Sequence, residues 1–147
     1  MSQVRKVFFF IGRALFSSLF LISGIKNLVH WHASLESLAM KLCEWNLHFN
    51  GAFFFEKLIH FAPLLLILST TLLIVGGLTL LLGYLFRTGT FLLLLFLIPT
   101  TILFHDFWFQ VGNQYEIELI MFSKNLALIG SLLLFTLGYP FKKQEHD

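Results

Sequence analysis

FAPLLLILSTTLLIVGGLTLLLGYLFRTGTFLLLLFLIPTTILF, residues 61–104, decides the fold. A helix needs about 20 apolar residues to cross about 30 Å of hydrocarbon. This stretch holds two such runs, 61–85 and 89–104, parted only by a tight connection that carries Arg87. Neither alternates as a barrel strand would, and backbone amides facing lipid must be satisfied within their own segment, so both runs read as helices. Working outward, 7–25 and 119–137 have the same character. The pattern predicts an all-α, integral membrane four-helix bundle, one domain over residues 1–147.

Composition agrees. The chain is 57% hydrophobic and 12% charged, where a soluble domain carries about 25% charged residues. A soluble core of this size cannot hide so many Leu and Phe side chains, and the excess must face lipid. The lipid bilayer is therefore the first partner. A net charge of +2 gives no reason to expect nucleic acid as another. Cys43, the single cysteine, forbids an intrachain disulfide and leaves no Cys-x-x-Cys motif. The basic start followed by an apolar run resembles a signal peptide, but no small-x-small cleavage site follows it, so it reads as a retained first span.

Lys and Arg placement sets the expected orientation. Arg5 and Lys6 precede the first span, Arg87 joins the second to the third, and Lys142 and Lys143 follow the fourth, all on one side. The last connection carries Asp106, Glu116 and Glu118, while the first mixes Lys26, Lys41 and Lys57 with Glu36, Glu44 and Glu56. Both termini are thus expected to be cytoplasmic. The first connection also holds Leu35, Leu38, Ala39, Leu42 and Trp45 at helical spacing after Ser34, an N-cap type, which predicts an interfacial amphipathic helix over 34–48. Asn50-Gly51 ends it, and Phe53-Phe54-Phe55 turns back to the membrane. Trp31, Trp45 and Trp108 mark the outer boundary as an aromatic belt.

Ionisable residues inside spans are the informative ones. Arg13 either snorkels to cytoplasmic phosphates or faces the bundle as an anion or headgroup contact. His105 and Asp106 close the third span, Lys124 and Asn125 lie near the outer end of the fourth, and Lys26 closes the first on the same side. Either Lys124 or Lys26 clamps Asp106 between helices, or these residues form a pocket for a polar headgroup with His105 as proton carrier. Five histidines, His30, His32, His48, His60 and His105, fall on the outer side, but no metal-ligand spacing such as His-Glu-x-x-His occurs, which weighs against haem or metal. Gly12, Gly24, Gly76-Gly77 and Gly130-Ser131 offer close helix approach. Pro99 removes a backbone donor from the third span and predicts a kink, with the Thr100 and Thr101 hydroxyls available to freed carbonyls.

As a set, Gly12-Arg13 with Ser23-Gly24 and Lys26, Gly76-Gly77-Leu78 leading to Leu82-Gly83 and Arg87, His105-Asp106-Phe107-Trp108, and Lys124-Asn125-Leu126-Ala127 resemble the DoxX family. The resemblance implies a four-helix protein of a bacterial-type inner membrane, linked to thiosulfate:quinone oxidoreductase or to thiol and oxidative-stress defence. The ligand is then a quinone-like or small sulfur-containing molecule, with quinone as the cofactor to test, partner redox proteins supply the electron chemistry, and the chain is at most an accessory subunit of a membrane oxidoreductase. Its ligand-binding candidates are His105, Asp106, Lys124, Asn125, Lys26 and Arg13. One departure stands out: many relatives place a glutamate shortly before the paired glycines, where this chain has Leu73. The competing readings are a non-enzymatic membrane scaffold or assembly partner and a small transporter gated at Pro99.

Overall fold

The computed structural model describes residues 3–138; Lys142 and Lys143 lie outside the described residues. These form six α-helices and one 3-10 turn, with no strand among them. The helices are α1 (Gln3–Val29), α2 (Trp31–His48), α3 (Phe53–His60), α4 (Ala62–Leu82), α5 (Phe86–Phe104) and α6 (Asn113–Gly138), with the 3-10 turn Phe107–Phe109 between α5 and α6. Four of them, α1, α4, α5 and α6, are long and apolar enough to cross a membrane.

Three of the four long helices exceed their apolar runs, and α4 stops at Leu82, short of the expected 85. Hydrocarbon thickness limits the apolar run, while the helix continues into polar residues as long as nothing breaks it. So α1 extends past the expected 7–25 at both ends, α5 begins at Phe86 rather than 89, and α6 begins at Asn113 rather than 119. The stops are chemical. Gly83, at φ 73°, caps α4 in the left-handed region that disfavours a Cβ, and Leu85, at φ 53°, completes the reversal into α5. Asn50 and Gly51, at φ 55° and 74°, end the α2 segment as expected. The Phe53-Phe54-Phe55 run forms the separate short helix α3 instead of leading directly into the next span.

The four long helices pack in chain order: α1 on α4, α4 on α5 and α5 on α6. In the α1–α4 seam a Cβ on Gly24 would meet Ile74 and Leu73, one on Gly77 would meet Leu21, and Gly83 lies against Arg13. Residue numbers rise on one helix as they fall on the other, so the pair is antiparallel. In the α4–α5 seam Gly76 and Gly89 bring the two backbones together, a Cβ on Gly76 lying 3.2 Å from the Gly89 carbonyl oxygen. Such small-residue contacts substitute for a hydrophobic drive that lipid does not supply. Gly12 and Gly130, expected to do the same, face open space. On α6, the Phe135 ring reaches both Phe16 of α1 and Phe86 of α5.

Two apolar cores result. One runs through the bundle around Phe20, Leu73, Leu80, Leu93 and Leu132. The other, Leu38, Leu42, Ala62 and Leu66, lies where α2 packs over one end of it. The stripe read from the sequence is thus the packed face of α2, but the helix starts at Trp31. His30, not Ser34, holds the N-cap position. Ser34 sits in the first turn, and its hydroxyl donates to Asn27 Oδ1 at 3.3 Å.

Candidate functional site

At the end of α5 the chain must reverse in few residues. Thr101 O accepts from the His105 amide, Asp106 O accepts from the Phe109 amide, and Gly112, at φ 61°, turns the chain into α6. Phe107 packs on Phe122 of α6 and on Tyr115. This turn holds Asp106 at 0% exposure, a cost that only paired and hydrogen-bonded charge can offset.

The partner is Lys41. Its ammonium donates to Asp106 Oδ1 and to Glu44 Oε2, each at 2.8 Å, and Gln110 Nε2 adds a longer bond to Asp106 Oδ1 at 3.4 Å. Burial acts to lower the Lys41 pKa, and the hydrogen bonds to Asp106 and Glu44 outweigh it, so the net shift is upward from 10.5. One residue turn along α2, Trp45 Nε1 donates to the Leu103 carbonyl at 3.0 Å. The Trp45 ring packs against Phe49, Phe55, Trp108 and Phe109. Lysine, tryptophan and aromatic contacts thus fasten α2 to the end of α5. Asp106 Oδ2 and Asn46 Oδ1 are buried acceptors without a partner. Beside them His105 Nδ1 meets Glu118 Oε2 at 2.8 Å and ties the same turn to α6.

This arrangement corrects the expected clamp. Lys124 is exposed and its ammonium lies 3.4 Å from Met121 Sδ, and Lys26 is exposed on α1, so neither is the amine that pairs with Asp106. Asn125 is buried in α6. Arg13 lies far from the others, beside Gly83 at the opposite end of the bundle, with its Nε buried and unpartnered. One turn deeper, Ser17 is at 0% exposure and its hydroxyl also lacks a partner. Lys41 was missed as a functional residue because its three-lysine loop read as diffuse charge. Its position between Leu38 and Leu42, on the stripe that packs inward, is the signal that could have found it.

Lys26 and His105 instead share a cleft of about 1040 Å³ lined by α1, α2, α3, α4 and α5. One end is polar: Asn27 Nδ2 donates to Thr70 Oγ1 at 3.3 Å, Ser34 donates to Asn27, and Lys26 and His30 stand beside them. Elsewhere Leu and Phe side chains form the walls, among them Leu66, Leu73 and Phe96. Helix α5 runs unbroken through Pro99, which has no N–H for the Leu95 carbonyl, and both residues line the cleft. The Thr100 and Thr101 hydroxyls donate to Phe96 and Leu97 instead, at 2.7 and 2.6 Å.

Such a chain defines a class: an all-helical protein with four helices suited to crossing a membrane, a helical cap fastened by a buried ion pair, and a lateral cleft with one polar end. Within that class it belongs to the HR-like lesion-inducing family, whose family model matches residues 5–138. No curated protein and no solved structure matches it. The family match overturns the DoxX resemblance, whose glycine, His-Asp and Lys-Asn segments are short pieces of apolar helix and helix end. The redox-linked role in quinone, thiol or oxidative-stress chemistry came with that resemblance and is withdrawn with it. The inner-membrane setting rested on the resemblance alone.

Proposed function

We propose that this protein is a four-span integral membrane protein whose lateral cleft holds a lipid-like amphiphile. The cleft carries this reading. Its volume of about 1040 Å³ matches the upper range of small-molecule sites, about 300–1,000 Å³. Its make-up also suits an amphiphile, since Lys26, Asn27, His30 and Ser34 gather at one place while the rest of the lining is mostly Leu and Phe, with Trp45, Ser69, Thr100 and His105 among them. Of the candidate site residues, Lys26 and His105 belong to this proposal as parts of the lining. Asp106 acts at one remove, holding through Lys41 the helix that forms one wall.

The expected product of gentle purification is a complex with one bound lipid, visible as a discrete mass increment in native mass spectrometry. Ser69 lines the cleft and its hydroxyl bonds only within its own helix, to Leu66 O, so Ser69→Trp fills the space without removing a tie between helices. Loss of the increment in that variant supports the reading. An increment unchanged by Ser69→Trp, or none in the wild type, overturns it.

The proposed orientation puts both termini in the cytoplasm, supported by Lys6, Arg13 and Arg87 at one end, while the other end mixes Lys26, Lys41 and Lys57 with acidic residues. Cys43, exposed on α2, reports on it directly. A membrane-impermeant maleimide should label it in intact cells. Labelling confined to inverted vesicles reverses the orientation.

A further inference from the structure

We infer that the cleft selects amphiphiles with an anionic headgroup, a conclusion that rests on the ligand-binding reading above. The charge of the lining is one-sided. Lys26, His30 and His105 are its ionisable residues, and no Asp or Glu lines it. Of the carboxylates near this end, Asp106 and Glu44 receive Lys41 and Glu118 faces His105, while Glu36 and Glu56 lie outside the lining.

Cation and hydrogen-bonding groups sit together rather than scattered. Lys26 and Asn27 are adjacent in the last turn of α1, His30 follows one turn later, and Ser34 reaches back to Asn27 from the first turn of α2. A phosphate or carboxylate at this position would meet the Lys26 ammonium and the hydroxyl and amide groups, while its chain extends along Leu66, Leu73 and Phe96. A zwitterionic head would bring a cation into a pocket that offers it no carboxylate.

Trp45 lines the cleft and supplies the probe. In a Trp31→Phe/Trp108→Phe variant reconstituted into phosphatidylcholine discs, its emission is titrated with lipids carrying brominated chains: phosphatidylcholine, phosphatidylglycerol and a free fatty acid. Quenching by an anionic lipid at about one-fifth the concentration of the zwitterionic one is expected, the preference that one lysine near an anionic head provides. Lys26→Gln, a substitution of an exposed side chain, should abolish that ratio while chain quenching persists. Whether phosphatidylglycerol or the fatty acid competes better identifies the source of the anion. Equal quenching by charged and zwitterionic lipids, or a preference that survives Lys26→Gln with His30→Gln, overturns the headgroup inference alone. No quenching beyond random contact by any lipid overturns the binding reading as well.

Discussion

The two ends of the bundle are closed by different means. At the Arg87 end, α4 and α5 are joined through Gly83, Tyr84 and Leu85, and two left-handed backbone conformations make the reversal. At the Asp106 end the connections are long, and side chains distant in sequence do the fastening: Lys41 to Asp106, Trp45 to Leu103 and His105 to Glu118. A short connection stores its geometry in the backbone, and a long one must obtain it from tertiary pairing. The first kind of closure resists loss of a side chain, and the second fails when a single partner is removed.

The largest test of that contrast is Lys41→Met. It strands the Asp106 carboxylate at 0% exposure, and breaking one side of such a pair costs about 3–5 kcal/mol. Thermal unfolding in detergent should register the loss, and hydrogen exchange should accelerate across 31–48 first. Adding Asp106→Leu should recover most of it, because an apolar pair of similar volume avoids the buried charge. A double variant no more stable than the single one would remove the ion pair from the account.

Gly83→Ala tests the other end. A Cβ there must adopt the left-handed region, at about 1–2 kcal/mol, and would also displace the Arg13 guanidinium. Pairing it with Arg13→Ala should return the steric part and leave the backbone part, measured in the same unfolding assay; full recovery would mean the backbone conformation is not what closes this turn.

A smaller, reversible break comes from pH. Lys41 holds its proton more tightly folded than unfolded, so its stabilisation is complete below 10.5 and is lost as pH climbs through the raised folded value. Trp45 emission in the Trp31→Phe/Trp108→Phe variant should shift in that window and should not shift there once Lys41 is Met. The smallest effect belongs to Thr136→Val, which removes the hydroxyl bond to Thr90 Oγ1. Interhelical bonds of this kind average about 0.6 kcal/mol in membrane proteins, so a change above about 2 kcal/mol would assign the Thr pair a larger part than this reading gives it.

The same contrast explains what could be read in advance. Local chemistry was legible: the four apolar runs, the break at Asn50-Gly51, and the inward stripe of Leu38 and Leu42. The seam at Gly76-Gly77 was legible because small residues have few other uses in an apolar helix, although Gly89, its partner on α5, went unread. Pairings across the chain were not legible. Asp106 invited an amine, and Lys26 and Lys124 were the ones in view because both border apolar runs. Lys41 belongs to a segment whose position over the bundle depends on contacts with α4 and α5, which no local spacing encodes. The family was also beyond short motifs, since Gly-Gly or His-Asp within apolar helices reflects packing and helix ends common to many membrane bundles.

The bond between Lys41 and Asp106 joins residues 65 positions apart, which has a consequence for biogenesis. When α2 leaves the ribosome, neither α4, on which Leu38 and Leu42 come to rest, nor the carboxylate that receives Lys41 has yet been made. The apolar stripe stays uncovered until α4 has been made, and Lys41 stays without its carboxylate until α5 has followed. Closure of the Asp106 end is therefore among the last steps of assembly, and a chain stalled before residue 106 holds α1 and the cap without the lock that joins them to the remainder.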